Sequence, residues 1–251
     1  MGRVRNVISV VLVVPVFALL ELIAMIFGWG LRALKKERAA DLIIHFILRI
    51  LIAWIYLCVG VRVHVEGKEY VPKWGSKVVV YCPNHSSMVD IPVLYGCGMW
   101  CGLVAKQELF KVPLLHGLLL LLKCLPLDRT SVRAGLQTIL KGVEQLKSGY
   151  PMGIFPEGTR SKTGYIQEMK AGAFKMATKV GAPIIPVAMK NTALSLERAK
   201  NFRLVHVYVR ILPPIETAGM TREEQAVLPD MVHDQIKAAW EELPGPYGRK
   251  H

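Results

Sequence analysis

Two long apolar runs near the amino terminus constrain this chain more than any other feature. Residues 7–29 are interrupted by Pro15 and Glu21, and residues 42–61 by a few polar groups such as His45 and Arg49. Each approaches the roughly 20 residues that an α-helix needs to cross a bilayer. Arg3 and Arg5 precede the first run, and Arg32-Ala33-Leu34-Lys35-Lys36-Glu37-Arg38 separates the two. No small-x-small cleavage site lies between the runs, so a retained anchor is expected rather than a secretory signal. Asn6 stands where N-myristoylation requires serine or threonine. Two full crossings would put the basic linker on the far side, against the positive-inside rule, and a single crossing fares no better. The expectation is a pair of helices dipping into one leaflet, basic residues at anionic headgroups. That makes a monotopic protein at the cytoplasmic face of the inner or plasma membrane. A helical hairpin buried in a globular protein is the alternative. Residues 1–60 thus read as a membrane-embedded two-helix motif and residues 61–251 as a second domain.

The chain has 251 residues, 52% hydrophobic content and a formal net charge of +13, which asks for an anionic partner. It carries no zinc-finger spacing, RNP signature or basic helix interleaved with aromatics, so nucleic acid is set aside. A phospholipid membrane or a phosphorylated substrate fits the charge better. The five cysteines, Cys58, Cys82, Cys97, Cys101 and Cys124, are odd in number and contain no Cys-x-x-Cys pair. They read as reduced core residues, and no metal site is expected.

From residue 61 onward, short β-branched runs alternate with amphipathic stretches. Strands are expected over 61–65, 77–81, 102–105, 124–127, 152–155, 184–189 and 205–212. Helices are expected over 88–95, 113–122, 132–148, 167–180 and 222–243. Such alternation implies an α/β fold, a mostly parallel or mixed sheet covered by helices, with ligands at the strand ends.

One of those strand ends carries Asn84-His85-Ser86-Ser87-Met88-Val89-Asp90. A histidine can take a proton from an alcohol when a carboxylate fixes its tautomer and steadies the imidazolium. On a continuous helix of 3.6 residues per turn, the fifth residue on would point about 140° away, so His85 and Asp90 must straddle a bend. Cys82-Pro83-Asn84 supplies one. Ser86 or Ser87 would cap the following helix, leaving N–H groups beside the histidine for an oxyanion or phosphate. A His-x4-Asp spacing taken alone is more often a surface or capping pair. A second turn, Pro156-Glu157-Gly158-Thr159-Arg160, follows the strand ending at Phe155. Glycine admits close backbone approach and the arginine fork suits phosphate, although an ordinary hairpin loop has the same composition.

Together these blocks resemble the glycerolipid acyltransferase family. Asn84, His85, Ser87 and Asp90 match its first block; Lys106, Glu108, Leu109, Pro113, Gly117 and Arg129 its second; Phe155 to Ser161 its third; and Pro183-Ile184-Ile185-Pro186-Val187 its fourth. Lys170-Ala171-Gly172-Ala173-Phe174 resembles the family's segment between the last two. The glycine usual before the second-block arginine is missing, with Lys123 and Cys124 in its neighbourhood.

The resemblance implies acyl transfer from a thioester to the sn-2 hydroxyl of 1-acyl-sn-glycerol-3-phosphate (lysophosphatidic acid), giving phosphatidic acid. His85 is then the general base and Asp90 its orienting carboxylate. Arg129 and Arg160 would grip the acceptor's phosphate, and Glu157 would accept a glycerol hydroxyl or orient an arginine. Gly158 and Thr159 shape that turn, and Lys106 and Lys170 are further phosphate candidates. The donor is a thioester of acyl carrier protein or coenzyme A, with no cofactor or metal. Glycerol-3-phosphate or another lysophospholipid as acceptor, thioester hydrolysis and a non-catalytic membrane scaffold are the competing readings.

Overall fold

The computed structural model describes residues 2–128, 132–199 and 204–245. The two apolar runs form α1 (Gly2–Ala33) and α2 (Glu37–Val59), a hairpin whose three-residue link places Lys35 at φ 58°. Both helices are long and apolar enough to cross a membrane. Several of their polar groups turn inward and tie the hairpin to itself and to the rest of the chain. Ser9 Oγ donates to the carbonyl of Cys58 at 2.8 Å, and the buried Glu21 carboxylate accepts from the Leu118 N–H at 3.1 Å. Arg32 reaches both the Asp41 carboxylate and the Leu121 carbonyl. The outward side chains are mostly apolar, with Arg49 of α2 exposed among them: Val7, Val11, Leu22 and Ile26 of α1, and Leu42, Phe46 and Leu57 of α2 are all more than half exposed. An apolar face of this extent is the surface that a bilayer accommodates and water does not, and it associates the protein with membrane.

The remaining elements are β1 (Val61–Glu66), β2 (Val80–Pro83), α3 (Asp90–Gly96), β3 (Gly102–Lys106), α4 (Pro113–Leu121), β4 (Leu125–Leu127), α5 (Val132–Lys147), β5 (Met152–Gly153), α6 (Lys175–Val180), β6 (Ile184–Lys190), β7 (Val205–Ile211) and α7 (Arg222–Glu242). The strands make one sheet of order β1-β7-β6-β2-β5-β3-β4. All neighbours are parallel except β6 and β7, so the sheet is mixed and mostly parallel.

Strand alternation sends side chains to two separate cores. On one face Tyr81, Ile185, Val187, Met189, Val207 and Val209 pack with Ile44, Leu48 and Leu51 of α2 and with Val93, Leu94 and Leu121. On the other, Val80, Cys82, Met152, Ile184 and Ala188 pack with Val143, Met176, Leu228, Val232 and Ile236 of α5, α6 and α7. The hairpin therefore shares a core with the sheet. Sheet and covering helices form three layers, and β6 is buried along nearly its whole length, which accounts for its unbroken apolar run.

Three elements differ from expectation. The strand expected over 77–81 is shifted to Val80–Pro83, because pairing to both β5 and β6 begins only at Val80. The helix expected from 88 starts at Asp90, with the Met88 N–H on the Glu197 carboxylate. The helix expected over 167–180 is a 3-10 turn (Ala171–Phe174) followed by α6, because Lys170 is extended at ψ 122° and its N–H donates to the Pro156 carbonyl at 3.0 Å instead of within a helix. The remaining boundaries agree to within about two residues.

Gly67 follows β1 with φ 77°, and a Cβ placed there would lie 2.0 Å from the carbonyl oxygen of Ile211. Gly219 has the same φ of 77° with open space around it. Gly67→Ala is expected to lower stability by more than the roughly 1–3 kcal/mol of left-handed strain, and Gly219→Ala by that strain alone. Thermal unfolding of the two variants in detergent, compared side by side, checks the difference.

Candidate active site

Parallel pairing brings two loops together. Val80 pairs with Met152 and Tyr81 with Gly153, and the same register continued past the strand ends sets His85 opposite Glu157. The His85 N–H donates to Glu157 Oε1 at 2.7 Å, and the His85 carbonyl accepts from the Ser161 N–H at 2.9 Å. The β2 loop and the β5 loop are thus joined across the ends of adjacent strands, where a parallel sheet collects ligands.

Asn84 anchors this loop on its other side. It is 3% exposed, its Nδ2 donates to the Met189 carbonyl at 3.0 Å, and its Oδ1 accepts from the Met189 N–H at 2.6 Å. The side-chain amide copies a strand rung beyond Pro83 and clamps the loop to β6.

Asp90 opens α3 and points back into the loop. Its Oδ2 accepts from His85 Nδ1 at 2.7 Å, the Ser86 N–H at 2.7 Å and the Ser87 N–H at 2.8 Å. The side chain is fully buried, and Oδ1 has no hydrogen-bond partner among the described residues. With Nδ1 held by the carboxylate, Nδ1 is the nitrogen that carries hydrogen and Nε2 is the basic one. His85 stacks on Phe155 at a ring separation of 4.0 Å, and its side chain is 17% exposed.

The free N–H groups expected beside the histidine are all engaged. Those of Ser86 and Ser87 go to Asp90, and those of His85 and Met88 go to Glu157 and Glu197. Neither Ser86 nor Ser87 acts as N-cap of α3; Ser87 Oγ instead accepts from the Val89 N–H at 3.0 Å.

Glu157 is buried, and its two oxygens serve the His85 N–H on one side and the Gln167 amides on the other, with no arginine on it among the described residues. Burial raises its pKa above the usual carboxylate range, and these hydrogen bonds partly offset that. Gly158 has φ 74° and lies beneath the Lys170 side chain, so that a Cβ there would meet Lys170 Nζ at 3.1 Å. The Thr159 carbonyl accepts from Gln167 Nε2 at 3.0 Å. Arg160 is exposed and ion-paired to Glu197 at 3.1 Å. Lys106, at the end of β3, pairs with Glu108 at 3.1 Å and is more than half exposed. Arg129 lies outside the described residues. In the neighbourhood of the missing second-block glycine, Lys123 takes φ 54°, a backbone state that suits glycine, with its ammonium 4.4 Å from the centre of the Tyr150 ring.

Glu197 and Gln167 escaped the sequence reading. Gln167 fell inside an expected helix, and Glu197 lies beyond the recognised blocks on a segment that returns to the site after β6. No local pattern marks either. Two surface concavities of about 430 and 490 Å3 are lined by groups such as Arg210 and Glu242, and Asp41 and Tyr150, and neither includes His85 or Asp90.

The sequence profile of the Acyltransferase family matches residues 62–190, more than half of the chain, and spans His85, Asp90 and Arg160. The chain belongs to the acyltransferase family. It is 29% identical over 180 residues to the 1-acyl-sn-glycerol-3-phosphate acyltransferase of Borreliella burgdorferi, covering 70% of this chain and 71% of that one. It is 31% identical over 168 residues to the chloroplastic 1-acyl-sn-glycerol-3-phosphate acyltransferase LPAT1 of Arabidopsis thaliana. That match takes in 67% of this acyltransferase and 47% of the plant protein, so the chain spans about half the plant protein's length. The crystal structure of the 1-acyl-sn-glycerophosphate (LPA) acyltransferase PlsC of Thermotoga maritima superposes with a TM-score of 0.73 at 25% identity, covering 96% of this chain and 97% of that one. The likeness includes the amino-terminal hairpin as well as the α/β layers.

Asn84→Ala removes both bonds to Met189 in a buried setting and leaves that peptide unpaired. The expected loss of stability is about 2–3 kcal/mol, read from thermal or denaturant unfolding.

Proposed function

We propose that the protein transfers the acyl group of an acyl thioester to the free sn-2 hydroxyl of 1-acyl-sn-glycerol-3-phosphate, giving phosphatidic acid. The carrying observation is the His85 Nδ1 to Asp90 Oδ2 contact of 2.7 Å, made to a fully buried carboxylate, in a chain of the acyltransferase family. The names borne by its relatives supply the acceptor.

In this reading His85 Nε2 takes the proton of the acceptor hydroxyl as its oxygen attacks the thioester carbonyl. Asp90 holds the imidazole in the required tautomer and stabilises the imidazolium, the arrangement of a Ser-His-Asp triad with substrate alcohol in place of serine. The tetrahedral intermediate collapses, the carbon–sulfur bond breaks, and the thiolate leaves and recovers a proton. The donor is a thioester of acyl carrier protein or coenzyme A, and both are anionic, which suits a chain of net charge +13.

Arg160 holds the acceptor's phosphate, with Lys170, Gly158 and Thr159 around the same turn and Lys106 and Arg129 as additional cationic contributors. Glu157 acts by bracing the His85 backbone. Residues 1–60 serve as the membrane-embedded motif and residues 61–251 as the acyltransferase domain. The hairpin lies in the cytoplasmic leaflet as a monotopic anchor, its basic linker at anionic headgroups. This delivers the site to the surface in which the lipid acceptor resides.

His85→Ala is expected to abolish transfer to lysophosphatidic acid while vesicle association stays unchanged, and Asp90→Asn to cut turnover by about a thousandfold or more. Radiolabelled donor incubated with and without lysophosphatidic acid checks this and separates transfer from thioester hydrolysis. Retained turnover in His85→Ala would remove the general-base assignment. Arg160→Ala is expected to raise the apparent KM for lysophosphatidic acid about tenfold and leave that for the acyl donor unmoved. Initial rates with each substrate varied in turn decide it, and equal effects on both would place Arg160 elsewhere.

A further inference from the structure

Glu197 lies seven residues after the end of β6, outside the span that the family profile matches. Its carboxylate accepts three donors: the Met88 N–H at 2.8 Å and Arg160 Nη1 at 3.1 Å on Oε1, and Ser87 Oγ at 2.6 Å on Oε2. A backbone amide, a hydroxyl and a guanidinium converging on one point are a donor set for an anion with several oxygens. They come from residues two and three positions beyond His85 and from Arg160. The segment that brings Glu197 there is fastened separately. Thr192 Oγ1 and Ser86 Oγ lie 2.8 Å apart, and the Leu196 carbonyl accepts from Asn6 Nδ2 of α1 at 2.9 Å.

Resting on the reading of Arg160 given above, we propose that Glu197 is an internal anion seated in the subsite of the acceptor's phosphate, and that the acceptor binds by displacing it. A phosphate monoester carries up to two charges and three free oxygens, against one charge and two oxygens for a carboxylate. It can therefore take over the same donors with a surplus of charge. In its absence Glu197 keeps Arg160 compensated and the donors paired. Glu197 is then a specificity residue: a weakly charged acceptor cannot dislodge it, and a phosphomonoester can.

The sign of one kinetic change tests this. If Glu197 competes with phosphate, Glu197→Gln lowers the apparent KM for lysophosphatidic acid about fivefold, and inorganic phosphate inhibits at a correspondingly lower concentration. The KM for the acyl donor stays where it was. Adding Arg160→Ala to Glu197→Gln cancels the gain, because the donor set has lost its cation. If Glu197 only braces Arg160, the neutral variant raises the acceptor KM or leaves it unchanged, and either result overturns the proposal while Arg160→Ala still weakens the acceptor. An Arg160→Ala variant with unaltered acceptor KM would instead overturn the underlying reading of Arg160.

Discussion

The buried carboxylate of Asp90 organises the loop that carries His85. One oxygen gathers an imidazole and two backbone amides, so the chain between His85 and Asp90 cannot adopt a helix and cannot drift from the end of β2. Removing a charge from water is costly unless strong donors replace the solvent, and here three do so on a single oxygen. The bend and the tautomer of His85 are consequences of the same interaction.

Around that loop the structure uses carboxylates as internal fasteners. Glu157 ties the His85 backbone to the strand on one side, and Glu197 ties Ser87 and Met88 to Arg160 on the other. Asn84 adds an uncharged clamp to β6. Backbone amides that could have faced a ligand are thereby committed to the protein. Arg160, ion-paired to Glu197, is the guanidinium that faces this place. The strong positive charge of the chain is thus met locally by a few well-placed acids.

The hairpin gives the site its setting. It packs its inner face into the same core as Ile185 and Val207 of the sheet and leaves its outer face apolar. Asn6 of α1 reaches the Leu196 carbonyl, so the membrane-facing helix touches the very segment that carries Glu197.

The order of elements, the two apolar helices, the mixed sheet and the pairing of His85 with Asp90 could all be read from the sequence. They depend on local propensity, on periodicity and on residues a few positions apart. Glu157 is legible from its turn as a site residue, but sequence cannot show that the parallel register aims it at the His85 N–H. Gln167 was absorbed into a helix since its amides have no local reason to leave one. Glu197 was invisible, being 112 positions from His85 and joined to it only by the return of the chain after β6. Sequence alone determined which groups could do the chemistry, because reactivity belongs to residue types and short spacings. Only the tertiary structure decided which charges are spent on one another, since that depends on strand register and on contacts between segments remote along the chain.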